Sequence, residues 1–220
     1  MQRFLLAFGQ ISKFDLQRML GHGRDITGDG FLRPQLAEYR STMSSSLSTT
    51  PGVVRVDVEP FDSFAGRRLV LGQQLELAIL YGQDARLYAV LDAPGKPTPA
   101  EFSAEQRGAF VVARLDGRVV ACGAGRRLAE GTDDSANESV AEVKRVYTVP
   151  EARGHGLARA VMQSLEQIAT GFGYAAIQLE TGLQQQAALT LYARMGYEPI
   201  AAWGRYVHNP IGRCFAKQLR

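Results

Sequence analysis

Glu142-Val-Lys-Arg-Val-Tyr-Thr-Val-Pro150-Glu-Ala-Arg153-Gly-His-Gly156-Leu-Ala-Arg159 reads as a strand, a tight turn and the start of a helix. Val140, Val143, Val146, Tyr147 and Val149 favour an extended chain. Pro150 ends the strand, because it cannot donate to a ladder. Gly154 and Gly156 bring bare backbone to the point where Leu157, Val161, Leu165 and Ile168 begin to recur at helical spacing. A helix start carries unpaired N–H groups and partial positive charge, which suits a phosphate or pyrophosphate.

The spacing narrows the anion. A dinucleotide turn of the form G-x-G-x-x-G is broken by Arg159 at its last place, and the Gly-Lys-Ser/Thr ending of a P-loop is absent. What stands there is Arg153-x-x-Gly156-x-Ala158. It resembles the R/Q-x-x-G-x-G/A turn with which the GNAT family of N-acetyltransferases holds the pyrophosphate of acetyl-CoA. Downstream, Gln185-x-x-Ala188-x-x-Leu191-Tyr192-x-x-x-Gly196-Tyr197 is similar to that family's second signature, N-x-x-A-x-x-L-Y-x-x-x-G-F. Glutamine replaces asparagine and tyrosine replaces phenylalanine, so the chemical type is kept at both places. The hairpin feeding the central strand, the one that holds Glu142, completes the series, and the resemblance covers residues 53–219.

The rest of the chain reads as an alternation of strands and helices. Val54, Val56 and Val58 alternate with Arg55, Asp57 and Glu59, the pattern of a half-buried strand. Residues 63–81 are periodic as a helix, with Leu71, Leu75, Ala78 and Ile79 on one face. Phe110–Leu115 and Arg118–Cys122 flank Asp116-Gly117, a two-residue hairpin signal. Ala175–Thr181 is a further strand, Gln185–Met195 a helix closed by Gly196, and Pro199–Trp203 and Cys214–Leu219 two last strands. Residues 92–101, with three prolines, and the polar stretch 129–138 read as loops. The sum is an α/β domain. The resemblance makes it a GNAT-like mixed, mostly antiparallel sheet flanked by helices.

Residues 1–42 differ from this domain. Asp25, Thr27, Asp29 and Gly30 fit the first half of an EF-hand calcium loop, but the twelfth position is Leu36 rather than glutamate, and Glu38 comes two residues late. The expectation is a polar turn or tail without a metal. Met43 and the serine/threonine run to Gly52 read as a flexible join, and as a fresh N-terminus.

Composition excludes several classes. The net charge is +3 over 220 residues. Residues 1–42 hold six Lys/Arg against four acids, which leaves about +1 for the remainder and argues against a nucleic-acid partner. Cys122 and Cys214 each lie in an apolar run and read as buried thiols. No stretch is long and apolar enough to span a membrane or to serve as a signal segment, so cytoplasm is the default.

Residue roles follow from the resemblance. It implies acetyl-CoA as co-substrate and no metal. Val146, Tyr147 and Thr148 would hold the pantetheine arm through their backbone, as an added strand. Arg153, Gly154, His155, Gly156, Leu157, Ala158 and Arg159 would hold the pyrophosphate, and Gln185 opens the second signature. Tyr192 would protonate the departing thiolate as general acid. Glu142, eleven residues before Arg153, has the place of the base in the histone-acetylating branch; a water chain is the alternative. The acceptor is a primary amine of a small molecule or of a protein or peptide, with Glu76, Tyr81, Arg126, Tyr206 and His208 as candidates to select it. Homodimers are common in the family, and the sequence leaves the oligomeric state open. The other reading is a catalytically silent acyl-CoA-binding regulatory module.

Overall fold

The computed structural model describes residues 52–82, 98–128 and 139–219. The EF-hand-like segment, the serine/threonine join up to Pro51, the loop 129–138 and residues 92–97 of the proline-rich loop lie outside these. Among the described residues, seven strands and three α-helices follow in the expected order: β1 (Val54–Val58), α1 (Phe64–Leu80), β2 (Ala109–Leu115), β3 (Arg118–Arg127), β4 (Val140–Thr148), α2 (Leu157–Gly171), β5 (Ala176–Gly182), α3 (Gln186–Arg194), β6 (Glu198–Ile200) and β7 (Gly212–Gln218). They form one sheet in the order β1-β2-β3-β4-β5-β7-β6. Among these strands only β4 and β5 run parallel; every other pair is antiparallel. No helix among the described residues is long and apolar enough to cross a membrane.

Local chemistry sets these boundaries. Ser63 caps α1, its hydroxyl accepting from the Gly66 N–H at 3.0 Å. Asp116 and Gly117 both take positive φ, 50° and 79°, as a two-residue hairpin turn requires. The Asp116 carboxylate also accepts from the Val53 N–H at 3.0 Å, pinning the start of β1 to that turn.

Strand alternation places the helices. A side chain at Gly123 would run into Val161 at 2.5 Å and Leu165 at 3.1 Å, and one at Gly125 would touch Leu165, so this face of β3 carries α2. Phe110 is the register partner of Ala124, one step out of phase, and meets α1 at Gly66. The period of two therefore puts α1 and α2 on opposite faces. Leu157, Val161, Met162 and Leu165 of α2 are buried on one side, Leu69 and Val70 of α1 on the other.

One expectation needs correction. β1 is an edge strand, and its valines do not share a covered face: Val56 is half-buried, but Val54 is 37% and Val58 65% exposed. On α1, likewise, Ile79 is exposed although Leu71 and Ala78 are buried.

Candidate active site

The site begins where β4 and β5 diverge. Their parallel ladder runs from Val140↔Ala176 to Val143↔Leu179 and stops. Two residues on, Arg145 takes φ of 60°, and the β3–β4 register shifts between Cys122 and Ala124. A non-glycine residue in this region costs on the order of 1 kcal/mol. The bulge bends β4 away from its neighbour. The Cys122 thiol donates to the Arg145 carbonyl at 3.4 Å, tying the bulge to β3. Burial pushes that thiol up, so it stays protonated.

Beyond the bulge the chain has a free edge. The Val149 N–H donates to the Val120 carbonyl, so alternation turns the carbonyls of Val146 and Thr148 away from β3. Both are taken by side chains. Gln73 Nε2 donates to the Val146 carbonyl at 3.0 Å, and Arg153 Nε donates to the Thr148 carbonyl at 3.2 Å. Arg153 also reaches Glu76 at 2.6 Å, linking the turn to α1.

The turn itself has the form its glycines suggested. Gly154 and Gly156 have φ of 86° and 74°. A side chain at either would meet nothing within 4 Å, so glycine is needed here for backbone conformation, and the space above is open. Helix α2 starts at Leu157 with neither a side-chain cap nor an acid in its first turn. Its leading N–H groups lack intrahelical acceptors and lie at the positive end of the dipole. His155 turns back on its own loop, with Nδ1 3.2 Å from the carbonyls of Ala152 and Arg153.

Two clefts flank the splay. One, of about 680 Å³, is lined by Val146, Tyr147, Thr148, Arg153, Gly154, Gly156, Leu157, Ala158, Arg159, Gln185 and Tyr192 together with residues of α1 and α3. That is every catalytic or cofactor-binding residue named from sequence except His155 and Glu142. The other cleft, of about 490 Å³, lies towards β5 and the 204–211 segment; Lys144, Glu180, Arg205, Tyr206 and Asn209 line it. The two share Gln73, Leu77, Val146, Gln185 and Tyr192 as a common wall. Tyr192 is the buried anchor of α3, 6% exposed, with its ring near Tyr197 and Phe215. Burial holds its phenol above the usual range and the Glu180 charge adds to this, so it keeps its proton at neutral pH.

Glu142 has a different setting. It is 2% exposed and lines neither cleft. Arg126 donates to its carboxylate from Nε at 3.0 Å and from Nη2 at 2.7 Å; Lys144 lies at 2.7 Å and the Tyr206 hydroxyl donates at 2.9 Å. Arg126 is also paired with Glu101, and Lys144 with the Tyr206 hydroxyl. Burial pulls the Lys144 ammonium down, opposed by Glu142.

Sequence reasoning passed over Glu180. It sits just past the last β4–β5 pair, accepts from Asn209 Nδ2 at 3.1 Å and faces the second cleft. Burial raises its carboxyl above the ordinary range, while Lys144 and Arg205 hold it down. The signal was present in the strand: Glu180 follows the apolar pair Ile177 and Leu179 on the opposite phase. Of the residues expected to select an acceptor, Tyr81 and Tyr206 line the second cleft and Glu76 the first. Arg126 belongs to the Glu142 cluster, and His208 is exposed and lines neither cleft.

Comparison with known proteins agrees with this fold. The model of the acetyltransferase (GNAT) family matches residues 80–197. An IAA acetyltransferase of Azospirillum brasilense is 34% identical over 110 residues, half of this chain and 67% of that protein. Mouse N-acetyltransferase 8 is 35% identical over 89 residues, 40% of this chain but 38% of the mouse protein, so the chain spans well under half of that relative. Among solved structures, an acyl-CoA N-acyltransferase of Klebsiella pneumoniae superposes with a TM-score of 0.57 at 27% identity, covering 76% of this chain and 99% of its own. The chain is thus an acyltransferase, and it belongs to the acetyltransferase (GNAT) family.

Proposed function

We propose that the chain transfers an acetyl group from acetyl-CoA directly to a primary amine of a small molecule or peptide. The observation that carries this reading is the shared wall: two clefts meet at Tyr192, one with an anion-suited turn and the other with a half-buried acid, Glu180. The names of the relatives, an IAA acetyltransferase and an N-acetyltransferase, support acetyl as the acyl group.

The residues present suit the co-substrate. Open space over Gly154 and Gly156 and the free N–H groups of the first turn of α2 fit a pyrophosphate. Arg159 adds a positive charge in that first turn. Val146, Tyr147 and Thr148 would flank the pantetheine arm, with Gln185 in the wall that the two clefts share. Acetyl-CoA supplies the acetyl group as an activated thioester.

Glu180 takes the proton that the attacking amine must lose, directly or through water. Its raised pKa moves it towards the operating pH, where a base is most effective. Tyr192 donates its hydroxyl proton to the sulfur as the carbon–sulfur bond breaks and the carbon–nitrogen bond forms. In this reading Glu142, which the family resemblance offered as base, has a positioning role. Its carboxylate already accepts from Arg126, Lys144 and Tyr206, and it holds the last two at the wall of the acceptor cleft.

A panel of amines and peptides, incubated with acetyl-CoA and a thiol reagent, tests the reading. Acetylated product should form in step with free CoA, with sequential kinetics. A trapped acetyl-enzyme with ping-pong kinetics sinks direct transfer. Binding of acetyl-CoA without turnover on any amine makes the chain a binding module.

A further inference from the structure

Gln73 stands where the two clefts meet, and its two ends are unequally satisfied. Nε2 donates to the Val146 carbonyl at 3.0 Å. Oε1 is buried and has no hydrogen-bond partner among the described residues. The amide cannot be turned over, because reversal would set its oxygen against the Val146 carbonyl oxygen. A buried carboxamide oxygen without a donor is costly and calls for one. Gln73 is one of the residues that line both clefts, so a group bound there is a candidate to supply that donor.

The free edge of β4 says which group. On the reading proposed above, the pantetheine arm runs along this edge, and its secondary amides bring N–H donors. The carbonyls that would receive them, at Val146 and Thr148, are already engaged by Gln73 and Arg153. Gln73 gives back what it covers: its own amide oxygen stands in for the Val146 carbonyl, displaced outward by one carboxamide. We propose that Gln73 is a cofactor-contacting residue whose Oε1 accepts an amide N–H of the pantetheine arm, while Nε2 stays on Val146. The contact makes α1, and not β4 alone, a wall of the arm's channel.

This inference rests on acetyl-CoA being the co-substrate, and its test separates the two. Calorimetric titration would compare CoA with 3′-phospho-ADP, which keeps the pyrophosphate but lacks the arm. Gln73→Met keeps the length of the side chain and removes both polar atoms. It should weaken CoA binding on the order of tenfold, the worth of one hydrogen bond, and leave 3′-phospho-ADP binding unchanged. Gln73→Ala should show the same split, and unchanged 3′-phospho-ADP binding certifies that each variant is folded. Equal weakening of both ligands means a general disturbance of the cleft and overturns the proposal. Unchanged CoA binding in both variants overturns it too, and points Oε1 at the acceptor amine instead. A wild-type protein that binds neither ligand removes the acetyl-CoA reading and this inference together.

Discussion

At the scale of single residues, the proposed reaction divides its proton traffic between Tyr192 and Glu180, and burial drives both of their shifts. A phenol held above its usual range is a reliable store of a proton and a poor source of an anion. Tyr192→Phe should therefore lower kcat on the order of 10²-fold, with acetyl-CoA binding retained, as measured by steady-state kinetics and titration. Glu180 must be deprotonated to act, so activity should rise with pH through its pKa. Because burial raises that pKa, the acid limb of kcat/KM should lie above ~4.3, the value for a free glutamate. Glu180→Gln should remove this limb and leave only ionisation of the acceptor amine. A variant that keeps the wild-type limb would assign the base to another group.

At the scale of elements, two contacts hold the site in shape. The first is the approach of α2 to β3 at Gly123, opposite the bulge. A methyl there would overlap Val161 at 2.5 Å, and a β-branched side chain on a helix has little freedom to yield. Gly123→Ala should cost roughly 1–3 kcal/mol in chemical denaturation by pushing the helix outward. The second is the Glu142 cluster. Removing that carboxylate leaves Lys144 and one side of Arg126 without a counter-charge in a buried place. Glu142→Ala should cost roughly 3–5 kcal/mol, measured in the same way. Much of this level was legible in the sequence where its cause is local. Pro150, the two turn glycines and the spacing from Leu157 to Ile168 fixed the strand, turn and helix. Asp116-Gly117 likewise fixed the hairpin. The cluster around Glu142 was not legible, because Arg126 and Tyr206 arrive from 16 and 64 positions away. The exposure of Val54 and Val58 depends on β1 lying at the edge, which no pattern within five residues can state. Glu180 became prominent only because the β4–β5 ladder ends at Leu179, the residue before it.

At the scale of the whole molecule, ligand and fold are coupled through the splayed sheet. The second half of α1, the free edge of β4 and the anion-suited turn belong to three segments, residues 73–76, 146–148 and 153–159, joined across the groove by Gln73 and Arg153. A ligand that spans all three binds the native arrangement and not the unfolded chain. Its binding must then raise stability by mass action, by about 2.7 kcal/mol at a concentration a hundred times its Kd. Acetyl-CoA and CoA should both raise Tm in a concentration-dependent way. 3′-Phospho-ADP engages the turn alone and should raise it less at equal concentration. Loss of the Arg153–Glu76 link by Glu76→Gln, an exposed pair, should change the Tm of the free protein little. Equal shifts from 3′-phospho-ADP and CoA would mean that the arm finds no site on β4. The turn would then bind its anion without bringing a thioester to Tyr192.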